Sequence, residues 1–125
     1  MFKLQGRTAL VTGSGRGVGL GIAHGLAQQG ASVLVNDLFP ERAREACAAL
    51  QEDGLDAAPL PFDVTDAHAV HCAIAAAGAI DILVCNAGIP GNEGMELAMF
   101  MDQDPADWKP MVDLNLYGTL HCVHA

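Results

Sequence analysis

A chain of 125 residues, 51% hydrophobic and 17% charged, has the size of one domain and too much apolar content for disorder. Its formal net charge of −9 argues against nucleic acid or an anionic membrane as partner, since both need a basic face, and the acidity reads as a solvated surface. The four cysteines, Cys47, Cys72, Cys85 and Cys122, show no C-x-x-C pair; they are expected as reduced thiols of a cytoplasmic protein. Neither a targeting pattern nor a run of about 18 apolar residues is present, so no membrane span is expected.

Taken in order, Thr8-Ala9-Leu10-Val11 is a short β-prone apolar run. A glycine-rich stretch, Thr12-Gly13-Ser14-Gly15-Arg16-Gly17-Val18-Gly19, follows it and opens a helix to Gln29, with Val18, Ile22 and Leu26 four apart on the expected buried face. Gly30 closes that helix. Ser32 to Asn36 form the second strand, ending at Asp37. Pro40 starts a second helix whose narrow apolar face is Ala43, Ala46, Cys47 and Leu50, and Gly54 ends it. The third strand, Ala57 to Phe62, carries two prolines, which cannot donate to a sheet ladder, so it is expected at an edge. Thr65 or Asp66 caps a third helix, with Val70 and Ile74 buried and Gly78 closing it. Ile80 to Asn86 form a fourth strand whose apolar run Ile82–Cys85 suits the sheet interior. Beyond a loop at Ala87–Asn92, Glu93 to Gln103 reads as a short helix or apolar flap that includes Met95, Met99, Phe100 and Met101. Asp104-Pro105 begins a last helix running to Ala125, which Pro110 is expected to kink or delay. The order βαβαβαβα with short links predicts an α/β fold: a Rossmann-type, doubly wound parallel sheet in strand order 3-2-1-4.

The glycines then fill a tight turn between a buried strand and a helix start, where the backbone approaches a ligand closely and unpaired N–H groups favour phosphate. Asp37 lies twenty residues beyond Gly17, where a dinucleotide-binding unit sets an acid against the adenosine ribose. The G-x-G-x-x-G fingerprint fits in no register; the spacing is Thr-Gly-x-x-x-Gly-x-Gly.

These landmarks resemble the short-chain dehydrogenase/reductase family in its classical form. The glycine stretch, Asp37, Asp63-Val64 after the third strand, Cys85-Asn86-Ala87-Gly88 for the family's Asn-Asn-Ala-Gly, and Asp113-Leu114-Asn115-Leu116-Tyr117-Gly118 for its Asn-bearing helix occur in the family's order. The resemblance covers essentially all of residues 1–125 but only about the first half of a typical member. The family's catalytic Ser and its Tyr-x-x-x-Lys have no counterpart up to Ala125, and Tyr117 is followed four later by His121. The expectation is therefore the NAD(P)-binding half of an oxidoreductase that moves hydride between nicotinamide and a small alcohol or carbonyl substrate, homo-oligomeric at full length. The alternative is a non-catalytic dinucleotide-binding module or an inactive fragment.

The resemblance implies cofactor contacts from Gly13, Ser14, Gly15, Arg16, Gly17, Val18 and Gly19 at the pyrophosphate, and from Asp37 and Leu38 at the adenosine ribose. It further implies contacts from Asp63 and Val64 at adenine, and from Asn86, Ala87 and Gly88 beneath the riboses. Asp63 reads alternatively as a turn carboxylate or helix cap. Asn115 is implied as the fourth member of the catalytic set, in a supporting role: it holds a water and kinks its helix. Asp37 would accept two ribose hydroxyls and repel a 2′-phosphate, which selects NAD; Arg16 resembles NADP-preferring members, which keeps NADP as the alternative. His68-x-x-His71-Cys72 and His121-Cys122-x-His124 lack a second ligand pair, so no metal is expected.

Overall fold

The computed structural model describes residues 3–89 and 98–125. Thr8–Val11 (β1), Ser32–Val35 (β2), Ala57–Pro59 (β3) and Ile82–Val84 (β4) form one sheet in the order β3-β2-β1-β4, parallel throughout. Between and after them run Gly17–Gln28 (α1), Pro40–Glu52 (α2), Ala67–Ala77 (α3), Trp108–Val112 (α4) and Gly118–His124 (α5). The predicted order and the edge position of β3 are thus observed, whereas β4, whose apolar run suited the interior, forms the other edge of the described sheet, half-buried and with Cys85 exposed. Strands β3 and β4 are shorter than their apolar runs: pairing stops at Pro59 and at Val84, although Leu60 still donates its N–H to Val35 O at 2.8 Å.

The alternation of side chains along the strands divides the core into two layers. Ala9, Val11, Val33 and Val35 face α1 and α2, meeting Ala23, Ala27, Ala43, Ala46, Cys47 and Leu50. Leu10 faces the other way, with Phe62, Val64, Val70 and Cys122, and Leu34, Ile74, Leu83 and Leu114 pack around them half-buried. Helices α3 and α5 cover this second side. The face expected for α1 is corrected: Gly19, Ala23 and Ala27 are buried, while Val18 is 76% exposed. The physical reason is closeness. Residues without bulk at Gly19, Ala23 and Ala27 let α1 lie directly on the sheet, and its larger side chains are pushed to the flanks.

Local chemistry explains the helix ends. Asp66, one of the two expected caps, accepts the N–H groups of His68 and Ala69, both at 3.0 Å. Gly30, Gly54 and Gly78 stand just past α1, α2 and α3 with positive φ. Asp104 Oδ1 accepts Ala106 N–H at 2.8 Å and opens a 3₁₀ turn over Pro105–Asp107. The α-helix begins only at Trp108, after the 3₁₀ turn, so Pro110 falls within its first turn, where its missing N–H forgoes no intrahelical bond; the expected delay is observed. The irregularity comes later, as a π-helical turn over Asp113–Tyr117 that joins α4 to α5. Of the expected Glu93–Gln103 segment, residues 93–97, Met95 included, lie outside the described residues; so do Pro90 to Asn92 of the preceding loop. Phe100–Asp102 is a single 3₁₀ turn with Phe100 and Met101 exposed. Among the described residues no helix is long and apolar enough to cross a membrane.

Candidate functional site

The four strands deliver their carboxyl ends to one cleft of about 660 Å³. Gly13, Arg16, Gly17, Val18 and Gly19 line it after β1, and Asn36, Asp37, Leu38, Phe39 and Arg42 after β2. Phe62 to Thr65 line it after β3, and Asn86 to Ile89 after β4. A crevice outside the carboxyl ends of parallel strands is where open α/β sheets take ligands.

The glycine turn is built tightly. Gly13 has φ +63° with the Ala87 backbone directly behind it, so a side chain there would meet Ala87 Cα at 2.9 Å. A Cβ at Gly19 would meet Asn86 Nδ2 at 2.5 Å, which is why α1 begins without one. Asn86 supports the turn from β4: its Nδ2 donates to Thr12 O at 3.0 Å and Gly13 O at 3.1 Å. Thr12 Oγ1 accepts the N–H groups of Asn86 and Ala87 at 3.0 and 3.1 Å, fastening the ends of β1 and β4 together.

At the start of α1 no side chain accepts a hydrogen bond, and the first turn holds no acid. The N–H groups there face the cleft without a side-chain partner, the arrangement that suits an anion. Arg16 and Arg42 line the same cleft, and among the described residues neither takes part in an ion pair. The Arg42 guanidinium rests over the Phe39 ring, 4.4 Å from its centroid. In a chain of net charge −9, two unpaired guanidiniums on one cleft mark its positive side. These features fit the phosphates of a dinucleotide.

Asp37 is buried at the cleft wall, with Oδ1 accepting the N–H of Phe39 at 3.0 Å and Gly15 packed against Oδ2. Leu38 is half exposed beside it. Asp63 lines the opposite wall, and its Oδ1 accepts Thr65 N–H at 2.8 Å and the Thr65 hydroxyl at 2.7 Å. It is therefore a turn carboxylate as well as a lining residue. Val64 fits a notch at Gly118, and its carbonyl accepts a hydrogen bond from His121 Nδ1 at 2.8 Å.

Of the expected glycine-turn residues, Ser14 and Gly15 do not line the cleft. The Ser14 side chain is fully buried, its hydroxyl donates to Val11 O at 2.7 Å, and its N–H donates to Asn36 O at 2.7 Å. Ser14 serves the inside of the turn. Asn115 lies in the π turn, where its Nδ2 donates to Gly88 O and Met111 O, both at 3.0 Å. It reaches the cleft only through Gly88. Tyr117 is half exposed, beside the His121 ring at 6.4 Å between centroids, and is not a lining residue.

Thr12 and Asn36 carry more of the site's geometry than their sequence contexts suggest. Asn36 is 1% exposed, and its Oδ1 accepts the N–H of Gly13 at 3.2 Å. The signal for it was a polar residue ending a strand whose alternate positions, Val33 and Val35, point into the core. All four cysteines are free; burial pushes the Cys47 and Cys122 thiols up to about 11 and raises Cys85 as well. Among the described residues no group of three or more His, Cys, Asp or Glu side chains is placed to hold a metal ion.

The family model described as short chain dehydrogenase matches residues 7–125. The chain belongs to the short-chain dehydrogenase family. Gluconate 5-dehydrogenase from Gluconobacter oxydans is 39% identical over 120 residues, which cover 93% of this chain and 45% of that protein. A gluconate 5-dehydrogenase from Burkholderia cenocepacia J2315, solved with NADP and tartrate, superposes with a TM-score of 0.86 at 40% identity, over 98% of this chain and 48% of that one. A 3-oxoacyl-(acyl-carrier protein) reductase from Brucella melitensis, solved with bound NAD, gives a TM-score of 0.86 at 33% identity, over 96% and 47%. The chain spans about half the length of the relatives it matches. Short-chain dehydrogenases that share this fold thus carry either nicotinamide dinucleotide.

Proposed function

We propose that residues 1–125 form the NAD-binding Rossmann domain of an oxidoreductase that exchanges hydride with a small alcohol or carbonyl compound. The observation that carries this reading is the uncapped start of α1 opening into the same cleft as Asp37. The helix start suits the pyrophosphate, and the acid suits the ribose hydroxyls of the adenosine half. Gly13, Gly15, Arg16, Gly17, Val18 and Gly19 form the pyrophosphate side, with Ser14 holding the turn from within. Asp37 and Leu38 meet the ribose, Asp63 and Val64 the adenine, and Asn86, Ala87 and Gly88 the floor beneath the riboses.

Bound NAD supplies the hydride acceptor or donor; this chain's residues bind and orient it. Asn115 is assigned a supporting catalytic role through Gly88 O and the π turn. Gluconate and related sugar acids or polyols are the substrate class we favour, since gluconate 5-dehydrogenases and a galactitol 2-dehydrogenase are among the similar proteins. The exposed Leu116 of the π turn and Leu120 and Val123 of α5 support association with a second copy, and the four free thiols support a cytoplasmic location.

NADP is the second reading, and Arg16 and Arg42 on the cleft favour it. Isothermal titration of the full-length protein separates the two. The expected result is tighter binding of NAD than NADP, with Asp37→Ala narrowing the gap at least tenfold. Tighter NADP binding by the unmutated protein reverses the choice and makes the two arginines the deciding residues.

A further inference from the structure

We propose that Asn36 is a positioning residue that holds the two walls of the cleft at a fixed separation, so that a ligand spanning both walls depends on it more than a ligand touching one. The proposal rests on the dinucleotide reading above. One side-chain amide makes three hydrogen bonds to three separate backbone groups. Oδ1 accepts the N–H of Gly13 at 3.2 Å, and Nδ2 donates to Leu60 O and Phe62 O, each at 3.1 Å. Its backbone adds two more links: Asn36 N–H donates to Val11 O at 3.2 Å, and Asn36 O accepts Ser14 N–H at 2.7 Å. Asn36 therefore joins the end of β1, the glycine turn and the segment that follows β3.

These partners are the roots of opposite walls. Gly13 begins the turn that lines the phosphate side, and Phe62 directly precedes Asp63 and Val64 on the adenine side. β1 and β3 do not pair with each other, because β2 lies between them, and among the described residues the β2–β3 ladder ends at Pro59 but for one bond from Leu60 N–H to Val35 O. At the cleft the Asn36 amide is a side-chain cross-tie between Gly13 and the Leu60–Phe62 segment.

The chemistry is specific to a carboxamide. It offers one acceptor and two donors on a neutral group. Aspartate keeps the acceptor but sets a carboxylate against two carbonyl oxygens. Serine is too short to reach both sides. At 1% exposure, water does not replace what either variant loses.

The test uses the full-length protein and its Asn36→Ser and Asn36→Asp variants, each first shown to melt cooperatively. Affinities are measured by titration for NAD, NADP and ADP-ribose, which span both walls, and by ligand-observed NMR for adenosine, which meets one. The expected result is at least a tenfold loss for the spanning ligands in both variants, with adenosine changed less than threefold. A residue that merely supports the fold or the adenine wall weakens all of them alike, and that outcome overturns the proposal. Unchanged affinity for the dinucleotides overturns it too, as does failure of both variants to fold. An unmutated protein that binds adenosine but neither dinucleotide refutes the reading beneath, and the proposal with it; this result is distinguishable because it appears before any substitution is made.

Discussion

The two faces of the sheet are covered by the same number of helices and filled to different degrees. Against α1 and α2 every buried core side chain is at most 5% exposed, and seven of the twelve are alanine. Against α3 and α5 five side chains are buried; half-buried side chains ring both clusters, Ile22, Leu26, Ile82 and Val84 among them on the first face and Leu34, Ile74, Leu83 and Leu114 on the second. All three residues of β4 are half-buried, whereas Ala9, Leu10 and Val11 of β1 are fully enclosed. Small side chains let helices approach the sheet and exclude voids; larger ones on the second face are left with one side uncovered. The cleft straddles this difference. Its glycine turn is rooted in the dense layer through β1 and α1, while Val64, Ala87 and Leu114 of its other wall belong to the looser one. The two walls are thus expected to differ in stiffness, with Asn36 and Thr12 tying one to the other.

The same substitution on each face gives the largest contrast. Leu50→Ala removes a side chain that is 2% exposed and packed between α2 and the sheet. It should cost about 3 kcal/mol, within the range for cavity-forming Leu→Ala changes. Leu83→Ala removes a half-buried side chain from β4 and should cost about 1 kcal/mol, because part of its surface already meets water. Urea denaturation of both variants measures the difference. Equal losses would mean that the looser face is as well packed in solution as the dense one.

What the sequence revealed follows the same division. Strand order, the edge position of β3 and the buried face of α2 were legible because each rests on a local rule: alternation, proline's missing donor, helical spacing. The buried face of α1 was misread by one position. Periodicity counts large apolar residues, and this helix buries Gly19, Ala23 and Ala27 instead. The glycine turn and Asp37 were legible as a phosphate and ribose pattern, and the structure gathers them on one cleft with Asp63 and Asn86. Asn36 was not legible as a cross-tie, because Leu60 and Phe62 lie 24 and 26 residues away and offer only backbone carbonyls. A main-chain partner leaves no trace in side-chain identity. The buried placement of the Ser14 hydroxyl was not legible for a similar reason: its acceptors, Val11 O and Asn36 O, are also backbone atoms.

Two cysteines turn the comparison into a direct measurement. Cys47 belongs to the dense layer and Cys122 to the looser one, and burial raises both thiols to about 11. With both thiols raised by burial, unequal modification rates at pH 8 report how often each layer opens. Exposed Cys72 should react first and calibrates the reagent. Cys122 should then be modified about tenfold faster than Cys47, as read by mass spectrometry of quenched samples. Burying a neutral thiol stabilises the fold fully below the ordinary thiol value of 9.0, and that contribution is lost as pH rises toward about 11. Keeping the labelling at pH 8 therefore avoids destabilising either layer. Equal rates for the two buried thiols would place the opening in a motion shared by both faces.

The smallest effect concerns a charged tie between the starts of β4 and β1. Asp81 precedes β4; its Oδ2 accepts the N–H of Thr8 at 2.9 Å, and its Oδ1 meets the Arg7 guanidinium at 2.7 Å. The Thr8 N–H first, and Arg7 second, hold the Asp81 carboxyl below its ordinary value of 3.8. A carboxylate depressed on folding contributes stability above the unfolded-state value, and that contribution disappears as pH falls through the depressed one. Arg7 is largely exposed, so solvent screens the pair and the contribution is small. Asp81→Asn keeps the shape and removes the charge. It should melt slightly below the unmutated protein at pH 7, and the gap should close as the pH falls below 3.8. Because the contact clamps only the entry to β4, the variant should also accelerate hydrogen exchange at Ile82–Val84 while leaving Val33 and Val35 unchanged. A gap that persists at low pH would assign the loss to the amide's poorer hydrogen bond with Thr8, and exchange that quickens in β2 as well would show that β4 and the dense layer open together.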